Sequence, residues 1–198
     1  MIGLHIQNEG NVWFGVACDE EAIYATTFAF DEKEVLHGLL GSIPFGVPFQ
    51  RAEKNSIFAE RVVSLIKDVY DGKDVSHKFR FATKHLSEYT RKVLEVTSLI
   101  PVGYVASYGG VAQATGGGPR AVGRIMALNP FPPIVPCHRV VGSDFTLCGY
   151  GGGLDVKLDF LKREKRGYAS KHEIAVNGRR LQVFPAEFVL RKLEKSKR

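Results

Sequence analysis

The chain has 198 residues, 44% of them hydrophobic and 11% aromatic, enough for one large core or two small ones. Its net charge of +6 is uneven: residues 1–80 carry 8 basic and 12 acidic side chains, whereas residues 81–198 carry 19 and 9, and a cation excess confined to one stretch suits a polyanion, most often nucleic acid. No run approaches the roughly 18 apolar residues of a membrane span, and Met1-Ile2-Gly3-Leu4-His5 lacks the regions of a signal peptide. Cys18, Cys137 and Cys148 are an odd set without metal-ligand spacing, so a cytoplasmic protein (nuclear in a eukaryote) with a free thiol, no metal, no membrane contact and no disulfide framework is expected.

From Asn11 to Phe30 aromatic and β-branched residues are interrupted by Asp19-Glu20-Glu21, which predicts two antiparallel strands joined by a short acidic turn. Phe58, Val62, Leu65, Ile66 and Val69 recur at helical spacing and predict an amphipathic helix that ends near Asp71-Gly72 and covers this sheet. His5, His37, His77 and His85 form no constellation and read as surface or packing histidines. The polar stretch Asp71-Gly72-Lys73-Asp74 leads to a second helical pattern from Thr83 through Leu86, Tyr89, Val93 and Val96, and the domain boundary is placed at 80/81.

Beyond Pro101-Val102-Gly103, seven glycines between Gly103 and Gly123 make the backbone turn sharply and repeatedly. Ser107 is a suitable N-cap for a short helix from Tyr108 to Ala114. Thr115-Gly116-Gly117-Gly118 reads as a turn, and Pro119 fits the first turn of another helix reaching about Leu128. Helix, glycine turn, helix is the helix-turn-helix arrangement. On its second helix the small Ala121 and Gly123 allow close approach to a groove, and Arg120 and Arg124 can reach phosphates or bases. A tightly packed helical hairpin without DNA is the competing reading of these two helices alone.

The run Phe131-Pro132-Pro133-Ile134-Val135-Pro136 then leads into Cys137-His138-Arg139-Val140. Each proline fixes its own φ and restricts its predecessor, so the backbone presenting the thiol is nearly preset. A neighbouring base can expose the reactive thiolate. On a flat strand Cys137 and His138 would point to opposite faces, so a tight turn is expected here.

Pro101-Val102-Gly103, Ser107-Tyr108-Gly109, Arg120-Ala121-Val122-Gly123, Asn129-Pro130, Pro136-Cys137-His138-Arg139-Val140-Val141, Tyr150, Gly152-Gly153-Leu154 and Lys157 occur in that order. Over residues 85–168 this stretch resembles the O(6)-alkylguanine-DNA alkyltransferases, also called 6-O-methylguanine-DNA methyltransferases. The resemblance implies single-turnover repair of double-stranded DNA, in which the alkyl group on a guanine oxygen moves to Cys137. It further implies that His138 deprotonates the thiol through a bound water, that Glu164 orients the imidazole, and that Asn129 is a hinge. Arg120 resembles the finger that enters the base stack, and Tyr108 the hydroxyl that hydrogen-bonds a guanine ring nitrogen. Val140 and Cys137 would offer carbonyls to the exocyclic amine, Tyr150 would wall the pocket, and the Gly151 N–H would meet the guanine oxygen. No cofactor is implied, and a monomer is expected.

The chain departs from the family pattern in two places. The stretch from Tyr108 to Arg120 is about two residues shorter, and Gly151 stands where many members have Ser. Cys18 has no companion cysteine, so the zinc of some relatives is not carried over. Cys148 has no standard counterpart; a packing role is expected, with oxidation to Cys137 as the alternative.

After Tyr168, Asn177-Gly178 within Ile174–Val183 is the signature of a two-residue hairpin, and Phe188–Lys195 predicts a short basic helix. Arg179 and Arg180 are expected to add phosphate contacts, while the remainder of the basic tail, to Lys197-Arg198, reads as solvated surface. The fold class is therefore α+β: an N-terminal antiparallel-sheet-plus-helix domain (1–80), a mostly helical C-terminal domain with a helix-turn-helix (81–170) and an extension (171–198). Two competing functions are a DNA-binding protein that recognises alkylguanine without transfer, and a cysteine hydrolase or thiol oxidoreductase. The acceptor cysteine argues against the first, and the absence of Cys-x-x-Cys together with the basic half argues against the second.

Overall fold

The computed structural model describes residues 1–54, 56–76 and 79–196; His77 and the tail residues Lys197 and Arg198 lie outside the described residues. The chain forms two compact units, one of Met1–Tyr70, Asp74–Ser87 and Pro130–Ile134, the other of Asp71–Lys73, Glu88–Asn129 and Val135–Arg198. Among the described residues no helix is long and apolar enough to cross a membrane.

The first unit contains β1 (Ile2–Glu9), β2 (Val12–Cys18), β3 (Ile23–Ala29), α1 (Glu32–Ser42), β4 (Phe49–Arg51) and α2 (Ile57–Tyr70). Its sheet has the order β3-β2-β1-β4, antiparallel except for the short edge strand β4, which runs parallel to β1. The expected acidic turn joins β2 to β3: the Asp19 carboxylate accepts from the N–H groups of Glu21 (2.9 Å) and Ala22 (2.8 Å). Ile2, Leu4, Ala17 and Ala25 of the sheet pack with Val35 and Leu39 of α1. Tyr70, at the end of α2, meets Phe14 edge-on at 5.6 Å. The helix α1 was not expected, because Gly38 and Gly41 weaken its pattern; Asp31 starts it by accepting from the N–H groups of Lys33 and Glu34.

Pro130–Ile134 belongs to this first unit through pairings far apart in the chain. Thr26 donates its N–H to the Pro130 carbonyl (2.9 Å) and its hydroxyl to the Pro132 carbonyl (2.8 Å).

The second unit contains α3 (Glu88–Ser98), β5 (Tyr104–Ser107), α4 (Tyr108–Thr115), α5 (Pro119–Ala127), a 3-10 turn (Cys137–Arg139), β6 (Val140–Val141), α6 (Leu154–Arg163), β7 (His172–Val176), β8 (Arg179–Pro185) and α7 (Glu187–Ser196). It is mainly helical, with short strands in the order β6-β5-β8-β7. Helix α3 begins five residues after Thr83, because Thr83–Leu86 closes a separate turn. Residues 171–196 are integral to this unit: β8 pairs with β5, and Ala186 and Val189 share a core with Val105, Val141, Leu147 and Leu161. Burying each such aliphatic side chain contributes about 1.5–3 kcal/mol for the larger ones.

The helix-turn-helix forms as its residues predict. Ser107 caps α4 by accepting from the Gly110 N–H at 2.9 Å, and Gly116 ends it in the left-handed conformation, φ 81°. The next glycine is required by a close approach: a Cβ at Gly117 would overlap the ring of Tyr89. Pro119 opens α5.

Candidate active site

Pro136 and the 3-10 turn place Cys137 and His138 on a bend instead of a flat strand, with the Cys137 N–H donating to the Val135 carbonyl at 2.8 Å and Arg139 N–H to Pro136 at 2.9 Å. The thiol is 6% exposed and opens on a cavity of about 600 Å³. Tyr108, Arg120, Gly123, Tyr150 and Gly151 line that cavity with Cys137, as do Pro119, Met126, Ala127, Cys148 and Gly149. Helix α5 thus forms one wall and the Gly-rich loop before α6 another.

Burial pushes the Cys137 thiol up, while hydrogen bonding from Asn129, the Lys157 ammonium and a hydrogen bond from Tyr150 pull it down. Asn129 is itself anchored, its Nδ2 donating to the Val135 carbonyl at 2.9 Å. Burial raises Tyr108 to about 12 and Tyr150 well above its ordinary value, so both phenols keep their protons as hydrogen-bond donors.

Behind the thiol, His138 is fully buried and stacked on Phe160, ring centres 4.3 Å apart. Its Nε2 lies 2.9 Å from Glu164 Oε1, and its Nδ1 has no hydrogen-bonding partner among the described residues. Burial lowers its pKa despite the adjacent carboxylate, which leaves the imidazole neutral at pH 7. A proton on Nε2 facing Glu164 then makes Nδ1 the acceptor. Burial alone would raise Glu164, but the contacts of His138 and Arg139 hold it down at about 2. Arg139 Nη2 donates to Glu164 Oε1 at 2.8 Å and Nε to Oε2 at 3.0 Å, while Nη1 reaches the Ile100 carbonyl at 2.6 Å.

Lys157 is completely buried. Its ammonium donates to the carbonyls of Val140 (2.7 Å), Leu147 (2.5 Å) and Gly149 (3.5 Å), and burial lowers its pKa to about 8 against the opposing pull of Cys137 and Cys148.

Of the residues expected at the site, Cys137, Tyr108, Arg120, Gly123, Tyr150 and Gly151 face one cavity, and Asn129, His138 and Glu164 are buried in support. Ala121 and Arg124 are exposed on α5 away from the cavity lining. Val140 is not on the cavity wall either, and its carbonyl already accepts from Lys157. Roles for Lys157 and Arg139 were not expected, and Cys148, expected to pack, is instead exposed and lines the cavity. A signal for the first existed: Lys157, Phe160, Leu161 and Glu164 share one helical face at i, i+3, i+4 and i+7, so two charges interrupt an otherwise apolar stripe.

Fold and site define a class, helix-turn-helix proteins with a buried cysteine at the floor of a cavity. Residues 88–166 match the family model described as 6-O-methylguanine DNA methyltransferase, DNA binding domain. A methylated-DNA–protein-cysteine methyltransferase of Mycobacterium leprae is 40% identical over 114 residues, 57% of this chain and 68% of the relative. The enzymes of that name from Methanothermobacter thermautotrophicus and Pyrobaculum aerophilum are 45% and 48% identical over 78 and 80 residues, 39% and 40% of this chain. The chain spans about half the length of these two relatives, 44% and 53%. Among solved structures, the O6-methylguanine-DNA methyltransferase of Pyrococcus kodakaraensis aligns with a TM-score of 0.63 at 28% identity, covering 83% of this chain and 99% of that one. A Mycobacterium tuberculosis O6-methylguanine methyltransferase shares the fold, TM-score 0.64 at 23% identity, over 83% of this chain and 93% of that one. The chain belongs to the methylated-DNA–protein-cysteine methyltransferase family.

Proposed function

We propose that this protein repairs DNA by direct reversal, moving the alkyl group from the oxygen of an alkylated guanine in duplex DNA to Cys137 in one displacement. The observation that carries this reading is a buried thiol at the floor of a cavity of about 600 Å³ walled by the second helix of a helix-turn-helix. That volume lies in the range of small-molecule sites, about 300–1,000 Å³. A guanine reaches the thiol only after leaving the duplex, which costs a few kcal/mol and less for a weakened, alkylated pair. Arg120 would enter the stack as the nucleotide leaves, while Ala121, Gly123 and Arg124 would face the groove and its phosphates.

His138 would take the thiol proton at Nδ1, directly or through one water, because its other nitrogen is committed to Glu164. The sulfur then attacks the alkyl carbon, the carbon–oxygen bond breaks, and its electron pair returns to the guanine. The Tyr108 hydroxyl, protonated up to about 12, would hydrogen-bond a ring nitrogen and relieve the developing negative charge. The Gly151 N–H would meet the guanine oxygen and Tyr150 would wall the ring. The carbonyls of Cys137 and Val140 would share the exocyclic amine, Val140 through the lone pair that Lys157 leaves. Asn129 would steady the thiol. Nucleophile, base and donors are all side chains or backbone of one chain, so the reaction needs no cofactor and no second copy. The thioether product has no route back to a thiol here, so each molecule acts once.

The test is incubation with an oligonucleotide duplex bearing one labelled methyl on guanine oxygen, followed by intact mass. One methyl per protein on Cys137, and none in Cys137→Ala, is expected. Repeated turnover, or label on another residue, overturns the reading, and tight binding without transfer would point to a recognition protein instead.

A further inference from the structure

The hairpin of β7 and β8 is fastened to the helix-turn-helix by an arginine at its tip. Asn177 and Gly178 both take positive φ, 46° and 78°, the geometry of a two-residue hairpin turn, and Arg179 is the first residue of β8. Its Nη1 donates to the Gln113 carbonyl in the last turn of α4 at 3.0 Å. A Cβ built on Gly116 would lie 2.7 Å from the same nitrogen, so the guanidinium rests on the turn between α4 and α5. The carbonyl end of a helix carries partial negative charge and favours a cation. A neutral carbonyl nonetheless leaves the full positive charge in place, and a guanidinium has five N–H donors to offer.

This position has a geometric consequence. The four residue-to-residue steps from Gly116 to Arg120 span at most about 14 Å, and one strand of duplex DNA carries a phosphate about every 3.4 Å along its axis. In a helix-turn-helix the first helix crosses the backbone while the second enters a groove, so the turn between them lies at the phosphate ridge. We propose that the C-terminal hairpin, which lies beyond the family-matched stretch, enlarges the DNA-binding surface, with Arg179 seated at the turn to bind a backbone phosphate. The proposal rests on the repair reading above and adds a contact to it. Arg180 is set apart from this role: it pairs with Glu173 at 3.0 Å and its charge is offset.

The competing role for Arg179 is a cap for α4 and nothing more. The two roles separate in the salt dependence of binding, measured as the affinity of the full chain for a duplex over a series of potassium chloride concentrations. Arg179→Gln removes the charge on a side chain two bonds shorter. It is expected to flatten the slope of log affinity against log salt by about 0.9, one phosphate contact, while Arg180→Ala leaves the slope as in the wild type. Arg179→Ala should flatten the slope equally and also lower the midpoint. A wild-type slope in Arg179→Gln, whatever its midpoint, overturns the proposal and leaves the repair reading intact. Salt-insensitive or absent DNA binding by the wild type would instead sink the repair reading itself.

Discussion

Lys157 Nζ lies 2.7 Å from the carbonyl oxygen of Val140, so one buried ammonium ties the strand that leaves Cys137 to the loop carrying Leu147 and Gly149. Its hydrogen-bond partners among the described residues are neutral carbonyls, and its charge therefore acts on the nearby thiol, where it favours the thiolate. Lys157→Met is expected to push Cys137 further up. Less thiolate at neutral pH means slower single-turnover methyl transfer, by about tenfold for every 1.4 kcal/mol of lost thiolate stabilisation, and the rate should need a higher pH to recover. A variant with lowered stability but an unmoved pH profile would mean that Lys157 only braces the loop.

Glu164 links the site to acid stability. Its ordinary pKa of 4.5 is held at about 2 in the folded protein, so between those values the unfolded chain binds more protons than the folded one and stability falls as pH falls. The contribution is present above pH 4.5 and is lost by about pH 2. Glu164→Gln should be destabilised at pH 7, with the gap from wild type closing as pH drops through this window in urea titrations. A gap that stays constant with pH would assign the loss to packing alone.

The Pro-Cys-His-Arg-Val run, the capped short helix after Ser107 and the Asn-Gly hairpin were legible because each is a local rule acting within a few residues. Arg139 was not, because its partner Glu164 lies 25 residues away and a basic residue beside His138 carries no mark of burial. The membership of Pro130–Ile134 in the first unit was equally invisible: it depends on Thr26, over a hundred residues distant, and on the ring of Phe131 against Phe81 at 4.5 Å. The interruption of the α6 stripe by Lys157 and Glu164 was present in the sequence as a pattern, although only one of its two charges had been given a role.

Gly116 and Gly117 should respond differently to the same substitution. Gly117→Ala drives a methyl into the ring of Tyr89, and such overpacking costs about 1–3 kcal/mol. Removing the ring should return much of that loss, so Gly117→Ala and Tyr89→Ala are expected to be coupled in a double-mutant cycle by about 0.5–3 kcal/mol. Gly116→Ala is strained by its φ of 81° and presses on the Arg179 guanidinium, and should cost about 1–2 kcal/mol without relief from Tyr89→Ala. Equal coupling at both positions would contradict this assignment of steric and backbone causes.

The three thiols differ sharply in access. Cys148 is exposed, whereas Cys18 is buried at 2% exposure and burial raises it to about 12. Near-stoichiometric iodoacetamide should therefore modify Cys148 first, with Cys18 reacting only after unfolding. Because Cys148 lines the same cavity as Cys137, that adduct occupies space an extruded base would need. Methyl transfer should fall in proportion to Cys148 labelling, and Cys148→Ser should transfer normally and resist brief treatment with the reagent. Full transfer by protein labelled at Cys148, read by intact mass in the same sample, would show that the base enters along another part of the cavity.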